Sequence, residues 1–271
     1  MQRRRFLTSS LAASALAAVP RMATATPQSK VADSPKTAQE YYELRRYHLI
    51  SGPQQKLASS FFADALIPAL NRLGMATIGA FDLYLGPETP TMYVLIPSPS
   101  LDALVGLEAR LARDDEYQRA GEAFLKAPAK EPPYERMESS LMVAFEGYPK
   151  LTVPPVTAQH GKRVFQLRTY ESPTSHDHRV KVQMFNSGEF EAFQHAGFWQ
   201  VFYGDTLFGP RLPNLTYMLS FPSLGEIDAK WDAFGADPGW KKLTSSSKFN
   251  YESIVSNITS LILKPTSYSQ I

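Results

Sequence analysis

The sequence predicts an α+β protein made of two tandem copies of one β-α-β-β-α-β unit, and three observations support this prediction. The stretch from Leu83 to Leu101 recurs without a gap from Thr206 to Leu224. Gly86 and Gly209 begin the Gly-Pro turns of the two copies and fix the offset at 209 − 86 = 123 residues. Apolar β-branched segments and amphipathic segments surround both copies in the same order. Internal duplication is therefore the organising feature of the chain.

Identity at this offset extends beyond the Gly-Pro stretch in both directions. The matching residues fall in strands, helices and turns: Leu44/Leu167, Arg45/Arg168, Tyr47/Tyr170, Phe62/Phe185, Ala69/Ala192, Gly74/Gly197, Asp82/Asp205 and Asp114/Asp237. Because the period is far longer than that of a solenoid repeat, we expect two small domains. We place repeat 1 at residues 39–150 and repeat 2 at residues 162–271, with a linker over 151–161 between them.

Strands and helices are predicted in the same order within each repeat. The strands are predicted at residues 41–48, 76–85, 91–96 and 139–145, and at 163–170, 199–208, 214–219 and 258–263. The main helices are predicted at 54–73 and 101–112, and at 179–196 and 224–234. Suitable capping residues accompany them: Gly74 and Gly197 as left-handed C-caps, Ser100 and Ser223 as N-caps, and Asp114 and Asp237 at the start of a further helical turn.

This element order is the ferredoxin-like plan, in which an antiparallel sheet carries its helices on one face only. The other face of each sheet needs cover, and the second repeat is the nearest candidate. Two such sheets facing each other form an intramolecular version of the dimeric α/β barrel. The sequence therefore predicts a barrel built from two tandem ferredoxin-like repeats within one chain.

The opening strands resemble those of a known family. Glu43-Leu44-Arg45-Arg46-Tyr47, its echo Gln166-Leu167-Arg168-Thr169-Tyr170 and the Gly-Pro turns are similar to the NIPSNAP family of the dimeric α/β-barrel superfamily. The resemblance extends from about Tyr41 to Pro265. It implies a fold shared with cofactor-free monooxygenases, muconolactone isomerases and some haem-binding barrels. It implies no catalytic residue, because no catalytic motif is established for NIPSNAP proteins.

Composition restricts the classes of partner. The 271 residues are 44% hydrophobic and 20% charged, as in globular proteins, and no apolar run approaches the ~18 residues of a membrane span. Without four arginines near the N-terminus, 28 − 4 = 24 basic residues face 26 acidic ones, a net charge near −2. We therefore expect no nucleic-acid partner and no integral membrane span in the mature chain. Cysteine is absent, which excludes disulfides and thiolate chemistry.

Residues 1–25 have the three parts of an export signal: a basic start, a mildly apolar middle and small residues before a cleavage point. The start, Arg3-Arg4-Arg5-Phe6-Leu7, matches the twin-arginine pattern, and Ala23-Thr24-Ala25 offers a cleavage site. We therefore expect a periplasmic or secreted protein, exported through the twin-arginine pathway. The polar residues 26–38 are predicted to be a linker.

The paired arginines are the first candidates for a binding site. If Leu44 and Leu167 face the helices, strand alternation turns Arg45, Tyr47, Arg168 and Tyr170 toward the barrel interior, where they would line a ligand pocket between the sheets. A buried guanidinium must be paired or must bind an anionic group. The alternative is structural, with each arginine paired to a carboxylate such as Asp82 or Asp205. We favour the structural alternative, because both repeats keep the arginine.

Residues that differ between the repeats are the second set of candidates. An aromatic cluster with one histidine occurs only in repeat 2: Phe190, Phe193, His195, Phe198, Trp199, Phe202 and Tyr203. His195, Trp199 and Tyr203 could bind a flat ligand, and His195 could even be an axial haem ligand. The simpler interpretation is a hydrophobic core with His195 as a surface cap. His176 and His178 have a chelating spacing but no evident third ligand, so we predict no metal and no cofactor.

Taken together, these patterns favour an exported protein that binds a small molecule between the two sheets. One alternative is a cofactor-free enzyme of the monooxygenase or isomerase type, in which tyrosine and histidine transfer protons. Another is a structural or interaction protein that pairs through exposed sheet edges, and a homo-oligomer is compatible with each of these functions. A cavity touching His195 or Tyr170 would favour the enzyme, whereas a lumen filled by Tyr and Phe would oppose both ligand hypotheses.

Overall fold

A computed structural model describes residues 38–50 and 52–271 of the chain. The predicted export signal at residues 1–25 and almost all of the predicted linker at 26–38 lie outside the described residues. The described chain from Ala38 onward belongs to one compact unit. None of its helices is long and apolar enough to cross a membrane.

Eight antiparallel strands form one closed barrel in the order β1-β3-β2-β8-β5-β7-β6-β4. Their bounds are β1 Tyr41–His48, β2 Gly79–Leu85, β3 Thr91–Ser98, β4 Arg136–Ala144, β5 Val164–Glu171, β6 Trp199–Phe208, β7 Asn214–Phe221 and β8 Asn257–Pro265. The last strand of each repeat crosses to the other repeat, since β4 pairs with β6 and β8 pairs with β2. The predicted intramolecular α/β barrel is confirmed.

The helices cover the outer faces of the two halves. The long helix of repeat 1 has α-helical parts either side of a π-helical turn, and the long helix of repeat 2 has the same construction. Repeat 1 contains Pro53–Phe61, Phe62–Leu66 (π), Ile67–Arg72, Leu101–Val105, Leu107–Leu111, Asp115–Ala120 and Glu122–Leu125. Repeat 2 contains Ser175–Met184, Phe185–Glu189 (π), Phe190–His195, Ile227–Ala236, Pro238–Thr244 and Tyr251–Ile254, with 3₁₀ turns at Leu224–Glu226 and Ser247–Phe249. A further 3₁₀ turn, Pro155–Gln159, lies in the linker.

The predicted caps are present with one exception. Gly74 and Gly197 have φ values of 80° and 74°, the left-handed conformation that ends a helix. Ser100 accepts a hydrogen bond from the Ala103 N–H, and Asp114 and Asp237 cap the helical turns that follow them. Ser223 makes no capping bond, so that prediction is wrong: the backbone starts the helix with a 3₁₀ turn instead.

The two Gly-Pro hairpins share one backbone conformation. Gly86 and Gly209 have φ values of 157° and 153°, and the prolines that follow, Pro90 and Pro213, are both cis. Glycine is required at the second hairpin because a Cβ on Gly209 would lie 2.7 Å from the hydroxyl of Ser140. The repeated hairpin therefore joins β2 to β3 and β6 to β7 with the same geometry.

Three hydrophobic clusters stabilise the fold. One lies between the sheet and the helices of repeat 1, one lies between the sheet and the helices of repeat 2, and one fills the barrel lumen. A small fourth cluster of Met184, Phe249 and Ile254 lies in repeat 2. The largest completely buried lumen side chains are Tyr42, Phe81, Phe165 and Phe202. An eight-stranded barrel has an interior just wide enough for side chains, so these rings close its centre. The filled centre opposes a ligand at that position and leaves the end of the lumen as the place for one.

The expected orientation of the arginine strands is wrong. Leu44 and Leu167 lie in the lumen cluster, whereas Tyr47 and Tyr170 pack in the two helix-facing clusters. Because side chains alternate along a strand, Arg45 and Arg168 also project toward the helices. The physical reason is space: leucine and aromatic rings fill the narrow lumen, while the layer between sheet and helices accommodates the long arginine side chains.

The expected carboxylate partners are wrong as well. Arg45 forms a bidentate pair with Glu43 at 2.8 and 3.0 Å and a second ion pair with Glu108 at 2.8 Å. Asp205 instead accepts a hydrogen bond from His178 at 2.7 Å. No carboxylate among the described residues forms an ion pair with Arg168. The first arginine therefore has the predicted kind of structural role, but with different partners.

The closed barrel also removes the basis for pairing through sheet edges. Each of the eight strands has two hydrogen-bonded neighbours, so the described part of the chain presents no free edge to another protein. The expectation of an interaction protein that pairs through sheet edges is therefore wrong for this barrel.

Candidate functional site

A cavity of about 190 Å³ opens in the barrel lumen at the end where the two Gly-Pro hairpins lie. We call it the mouth pocket. Both repeats line it, because their sheets face each other across the lumen. Leu44, Leu167 and Leu261 form its apolar floor above the packed centre of the barrel. The pocket therefore lies between the two sheets, at one end only.

One wall of the mouth pocket is a charged row of three neighbouring strands in repeat 1. Arg46 on β1 stands directly opposite Tyr93 on β3 and Glu138 on β4. Cross-strand partners project from the same face of a sheet, so all three side chains turn toward the lumen. The Arg46 guanidinium lies 6.0 Å from the centre of the Tyr93 ring and 3.4 Å from a Glu138 oxygen.

The facing wall is a row of threonines in repeat 2. Thr169 on β5 stands opposite Thr216 on β7 and Thr259 on β8. The hydroxyls of Thr169 and Thr216 lie 2.9 Å apart. Arg46 and Thr169 occupy the same position in their repeats, at the 123-residue offset. The pocket is therefore asymmetric, with charged and aromatic groups on one side and small hydroxyls on the other.

The hairpins form the rim. Pro87 and Pro210 line the opening, together with Arg211, which donates a hydrogen bond to the Thr259 hydroxyl at 3.0 Å. Asn214 is buried beneath the second hairpin and donates to the carbonyls of Pro210 and Arg211 at 3.0 and 2.9 Å. Its own amide oxygen accepts from Thr206 at 2.7 Å. The rim of repeat 2 is therefore held by side-chain hydrogen bonds.

Two buried donors in the charged wall have no acceptor. The Tyr93 hydroxyl and the Nε of Arg46 lack a hydrogen-bond partner within residues 38–50 and 52–271. Burial raises the pKa of Tyr93 to about 12, although the nearby Arg46 guanidinium opposes that rise. Tyr93 is therefore a protonated donor at neutral pH. An unsatisfied buried donor costs about 1–3 kcal/mol, so a pocket wall that carries two of them is suited to an acceptor from outside the chain.

A cluster of ion pairs holds Arg46 in place within the charged wall. Glu88 contacts Arg46 at 2.9 Å, His48 at 2.9 Å and Arg136 at 3.2 Å. Glu138 contacts the other ring nitrogen of His48 at 3.3 Å. His48 is almost completely buried between these two carboxylates. The guanidinium of Arg46 is therefore held in place while its Nε stays uncommitted.

Three of the predicted residues of repeat 2, Arg168, Tyr170 and Tyr203, lie outside the mouth pocket, in the layer between sheet and helices. Arg168 donates to the Tyr170 hydroxyl at 3.1 Å, and Tyr217 donates to the same oxygen at 2.9 Å. The Arg168 guanidinium lies 4.4 Å from the centre of the Trp231 ring, and Tyr203 stacks on Tyr217 at 5.3 Å. Burial raises the pKa values of Tyr203 and Tyr217 well above the usual range. Arg168, Tyr170 and Tyr203 are thus brought together, but in a packed interior.

The equivalent residues of repeat 1 are separate from them. Tyr47 packs on Phe62 with ring centres 4.9 Å apart, and burial raises its pKa. Arg45 lies beside it and is neutralised by the carboxylates of Glu43 and Glu108. The predicted single pocket formed by both arginine–tyrosine pairs therefore does not exist in this fold.

His195 and Trp199 lie at the surface. The His195 side chain is 66% exposed and its Nδ1 is 3.0 Å from Asp237, which matches the simpler interpretation of a surface cap. Trp199 is 38% exposed, while Phe193 and Phe198 belong to the core of repeat 2. Among the described residues, no group of three or more histidines and carboxylates could hold a metal ion.

The sequence contained a signal for the mouth pocket that the arginine-pair hypothesis overlooked. At the 123-residue offset, Arg46 in the first opening motif corresponds to Thr169 in the second. Tyr93 corresponds to Thr216 in the same way. The repeats therefore diverge at the mouth pocket as well as in the helix segment around Phe190. Choosing the correct face of β1 required the packed barrel.

Comparison with a protein family gives two matches along this chain. The family described as NIPSNAP matches residues 42–147 and again residues 165–270, which together make up more than half of the chain. The two matches follow the two repeats. A comparison with curated proteins gave no significant match.

Solved structures share the barrel fold. A candidate monooxygenase from Fusobacterium nucleatum has 7% sequence identity, covers 84% of this chain and 93% of its own, and has a TM-score of 0.57. Another from Lactobacillus acidophilus has 10% identity, covers 84% and 94%, and has a TM-score of 0.52. A NIPSNAP-like domain protein from Burkholderia xenovorans has 18% identity, covers 41% and 90%, and has a TM-score of 0.36. At such identities, the first two similarities show a common fold.

Proposed function

The chain belongs to the NIPSNAP family, and on that premise we propose that it binds a small organic molecule in the mouth pocket, between its two sheets. The observation that carries the proposal is the pair of buried donors, Tyr93 hydroxyl and Arg46 Nε, without acceptors in the pocket wall. Burying a hydrogen-bond donor without an acceptor is unfavourable. A ligand oxygen that accepts a hydrogen bond from each of the two donors would remove this cost.

The size and lining of the pocket define the ligand class. At about 190 Å³ it is smaller than the roughly 300–1,000 Å³ of most drug-sized pockets. With a water occupying ~30 Å³, it has room for about six to ten non-hydrogen atoms. The leucine floor accommodates an apolar part and the charged wall accommodates a carbonyl or carboxylate oxygen. We infer a compact carbonyl compound or carboxylic acid.

The test compares the wild-type protein with Tyr93→Phe, which removes only the unpartnered hydroxyl. Binding of acetate, pyruvate, benzoate and benzamide is measured by ligand-observed NMR, and metabolites captured from cell extract are identified by mass spectrometry. We expect binding to weaken about tenfold in the variant, the effect of losing one hydrogen bond of about 1.4 kcal/mol. Tyr134→Phe, at a partly buried tyrosine that does not line the mouth pocket, is the matched control.

Stability provides a second measurement on the same variant. If the Tyr93 hydroxyl is reserved for a ligand, its removal leaves the free energy of unfolding unchanged or raises it by up to about 1 kcal/mol, because an unsatisfied buried donor is lost. A loss of more than about 1 kcal/mol would show that the hydroxyl is used within the protein. Equal ligand binding by the wild type and Tyr93→Phe would also contradict the proposal.

An enzyme on the same barrel is the second candidate, because two structures described as candidate monooxygenases share this fold. Neither His195 nor Tyr170 lines the mouth pocket, so the geometry expected for the enzyme is not what we find. Glu138 is the lining carboxylate that could exchange a proton with a ligand. Binding is therefore favoured over turnover. Incubating captured ligands with wild type and Glu138→Gln, and following their mass over time, separates the two.

We also propose that the chain is exported through the twin-arginine pathway, on the basis of Arg3-Arg4-Arg5-Phe6-Leu7 and Ala23-Thr24-Ala25. Fractionation of the producing cells should recover a protein whose N-terminus follows Ala25. Replacing Arg3 and Arg4 by lysine should retain the full-length chain in the cytoplasm. Continued export of that variant would exclude the twin-arginine pathway.

A further inference from the structure

A second and larger cavity lies on the outside of the barrel, where the end of β8 meets the start of β5. We call it the outer groove, and its volume is about 780 Å³. Unlike the mouth pocket, this volume falls within the range of roughly 300–1,000 Å³ that suits a drug-sized small molecule. The outer groove lies apart from the mouth pocket, with which it shares no lining residue.

The groove is lined by basic side chains without acidic ones. His160, Lys162, Arg163 and Lys264 all contribute to its walls, and no aspartate or glutamate does so among the described residues. Neither lysine forms an ion pair within residues 38–50 and 52–271. Asp82, the cross-strand neighbour of Lys264, takes a hydrogen bond from Gln55 instead. Within the described residues, both lysines are therefore free to form an ion pair with a ligand.

Arg163 adds a further donor beside the groove. It is buried, and its guanidinium donates to the main-chain oxygens of Gly161 and Ile271 at 3.1 and 2.6 Å. Its Nε has no partner in the described part of the chain, and burial lowers the pKa of this guanidinium. An unpartnered buried N–H favours an acceptor that can reach it.

Apolar groups and the hydroxyl of Ser223 also line the groove. The ring of Tyr84, 41% exposed, lies directly beneath the Lys264 ammonium at 3.4 Å. Val164 and Leu224 add apolar surface. The hydroxyl of Ser223 is not used to cap the following helix. The groove therefore combines an apolar bed with a cationic rim, the pattern expected for an amphipathic anion.

The equivalent part of repeat 1 has a smaller cavity, of about 230 Å³, with a carboxylate in its lining. At the 123-residue offset, Lys162 and Arg163 correspond to Gln39 and Glu40. Glu40 accepts hydrogen bonds from the Leu151 N–H at 2.8 Å and from the Tyr42 hydroxyl at 3.4 Å. Where repeat 1 uses a carboxylate to hold the linker, repeat 2 has two cations at the edge of an open cavity. The two repeats therefore differ in charge at this position, so the basic groove of repeat 2 does not follow from the fold itself.

We propose that the outer groove binds an organic oxyanion with an apolar body, such as an aromatic carboxylate. Lys162 and Lys264 hold the anionic group, and the Tyr84 ring supports the apolar part. Charged hydrogen bonds from two ammonium groups favour a carboxylate or phosphate over a neutral group of the same shape. This site is independent of the ligand proposed for the mouth pocket.

The experiment titrates the full chain with 2-naphthoate, 2-naphthyl phosphate and the neutral 2-naphthylmethanol, followed by backbone amide NMR shifts. The variant Lys162→Gln/Lys264→Gln is compared with Lys241→Gln/Lys242→Gln, two exposed lysines outside the groove lining. Both variants lose the same net charge, so nonspecific attraction falls equally. We expect binding of the anionic probes to weaken about fivefold in the groove variant only, the scale of two exposed ion pairs.

The outcomes are distinct. Saturable shifts around Tyr84 and Leu224, tighter for an anionic probe than for the alcohol, support the proposal, and the tighter of the two anions identifies the headgroup. Equal weakening in both lysine variants, equal affinity for the alcohol, or no saturation up to about 10 mM overturns it. Tyr93→Phe should leave these shifts unchanged, so failure of the mouth-pocket proposal would not be confused with failure of this one.

Discussion

Lys181 and Glu189 both belong to the long helix of repeat 2 and form a completely buried ion pair. The Lys181 amine lies 2.6 and 2.9 Å from the two carboxylate oxygens, and neither side chain is more than 2% exposed. Burial raises the pKa of Glu189, while Lys181 and then Arg168 oppose the rise. At the 123-residue offset, repeat 1 has Ala58 and Leu66 instead. The pair therefore occurs in repeat 2 and has no equivalent at the same positions of repeat 1.

Replacing one member of this pair should destabilise the protein more than replacing both members. Lys181→Met leaves a buried carboxylate without a partner, and we expect the free energy of unfolding to fall by about 3–5 kcal/mol. In Lys181→Met/Glu189→Leu, which restores the leucine of repeat 1, the loss should be clearly smaller, since no unpaired charge remains. Urea unfolding of the wild type, both single variants and the double variant gives the coupling energy. Additive losses would contradict a coupled pair.

The two equivalent arginines should differ in their importance for stability. Arg45→Met leaves Glu43, whose side chain is only 14% exposed, without its bidentate partner, so we expect a loss of about 2–3 kcal/mol. Arg168→Met leaves no carboxylate unpaired and loses mainly the contact with Trp231, about 1–2 kcal/mol. Adding Glu43→Gln to Arg45→Met should recover part of the loss, because repeat 2 already has Gln166 there. Thermal or urea unfolding measures each value, and equal losses at both arginines would refute the distinction.

Acid should weaken the cap at Asp114. Hydrogen bonds from the Tyr117 N–H and from Arg72 lower the pKa of this carboxyl. A depressed pKa stabilises the folded protein at pH values above the unfolded value of ~3.9, and this contribution disappears as the pH falls through the folded pKa. Asn caps helices as well as Asp does, so Asp114→Asn isolates the charge.

We therefore expect wild type to be more stable than Asp114→Asn at pH 7, with the difference shrinking below about pH 4. Unfolding by urea at several pH values measures this difference. Asp237, lowered in pKa mainly by the Trp240 N–H, should behave in the same way in repeat 2. A difference between wild type and Asp114→Asn that stays constant from pH 7 to pH 3 would exclude the charge effect.

Asn214 should stabilise the hairpin of repeat 2 more than Thr91 stabilises the hairpin of repeat 1. Asn214 makes three hydrogen bonds beneath its hairpin, whereas Thr91, at the equivalent position, donates one to the Glu88 carbonyl. We expect Asn214→Ala to lose about 2–3 kcal/mol and Thr91→Ala about 1 kcal/mol of unfolding free energy. Differential scanning calorimetry of the two variants checks the order. A larger loss for Thr91→Ala would show that the hairpins are held differently.

Much of the architecture could be read from the printed chain. The offset between Gly86 and Gly209 identified the duplication, and the alternation of strand and helix patterns placed the strands within a few residues. Helix caps at Ser100, Asp114 and Asp237 were recognised because their chemistry is local: a side chain bonds to backbone three residues away. The predicted cap at Ser223 is wrong because a 3₁₀ turn can begin without such a bond.

The site could not be read in the same way. Strand alternation places Arg45 and Arg46 on opposite faces of β1, but it does not show which face lines the lumen. That choice depends on the width of the barrel and on the helices that cover it, which are non-local. The unpartnered Tyr93 and Arg46 and the basic outer groove likewise arise from residues distant in the chain.

The sequence by itself determined the duplication, the order of elements and the family resemblance, because these depend on residue periodicity and on short-range backbone chemistry. Only the tertiary structure decided that Leu44 and Leu167 fill the lumen, that Arg46 faces a row of threonines, and that the Gly-Pro hairpins form the rim of a pocket. The physical reason is closure: once eight strands meet in a ring, the inner faces must fit a fixed small volume, and that fit selects the side chains that turn inward.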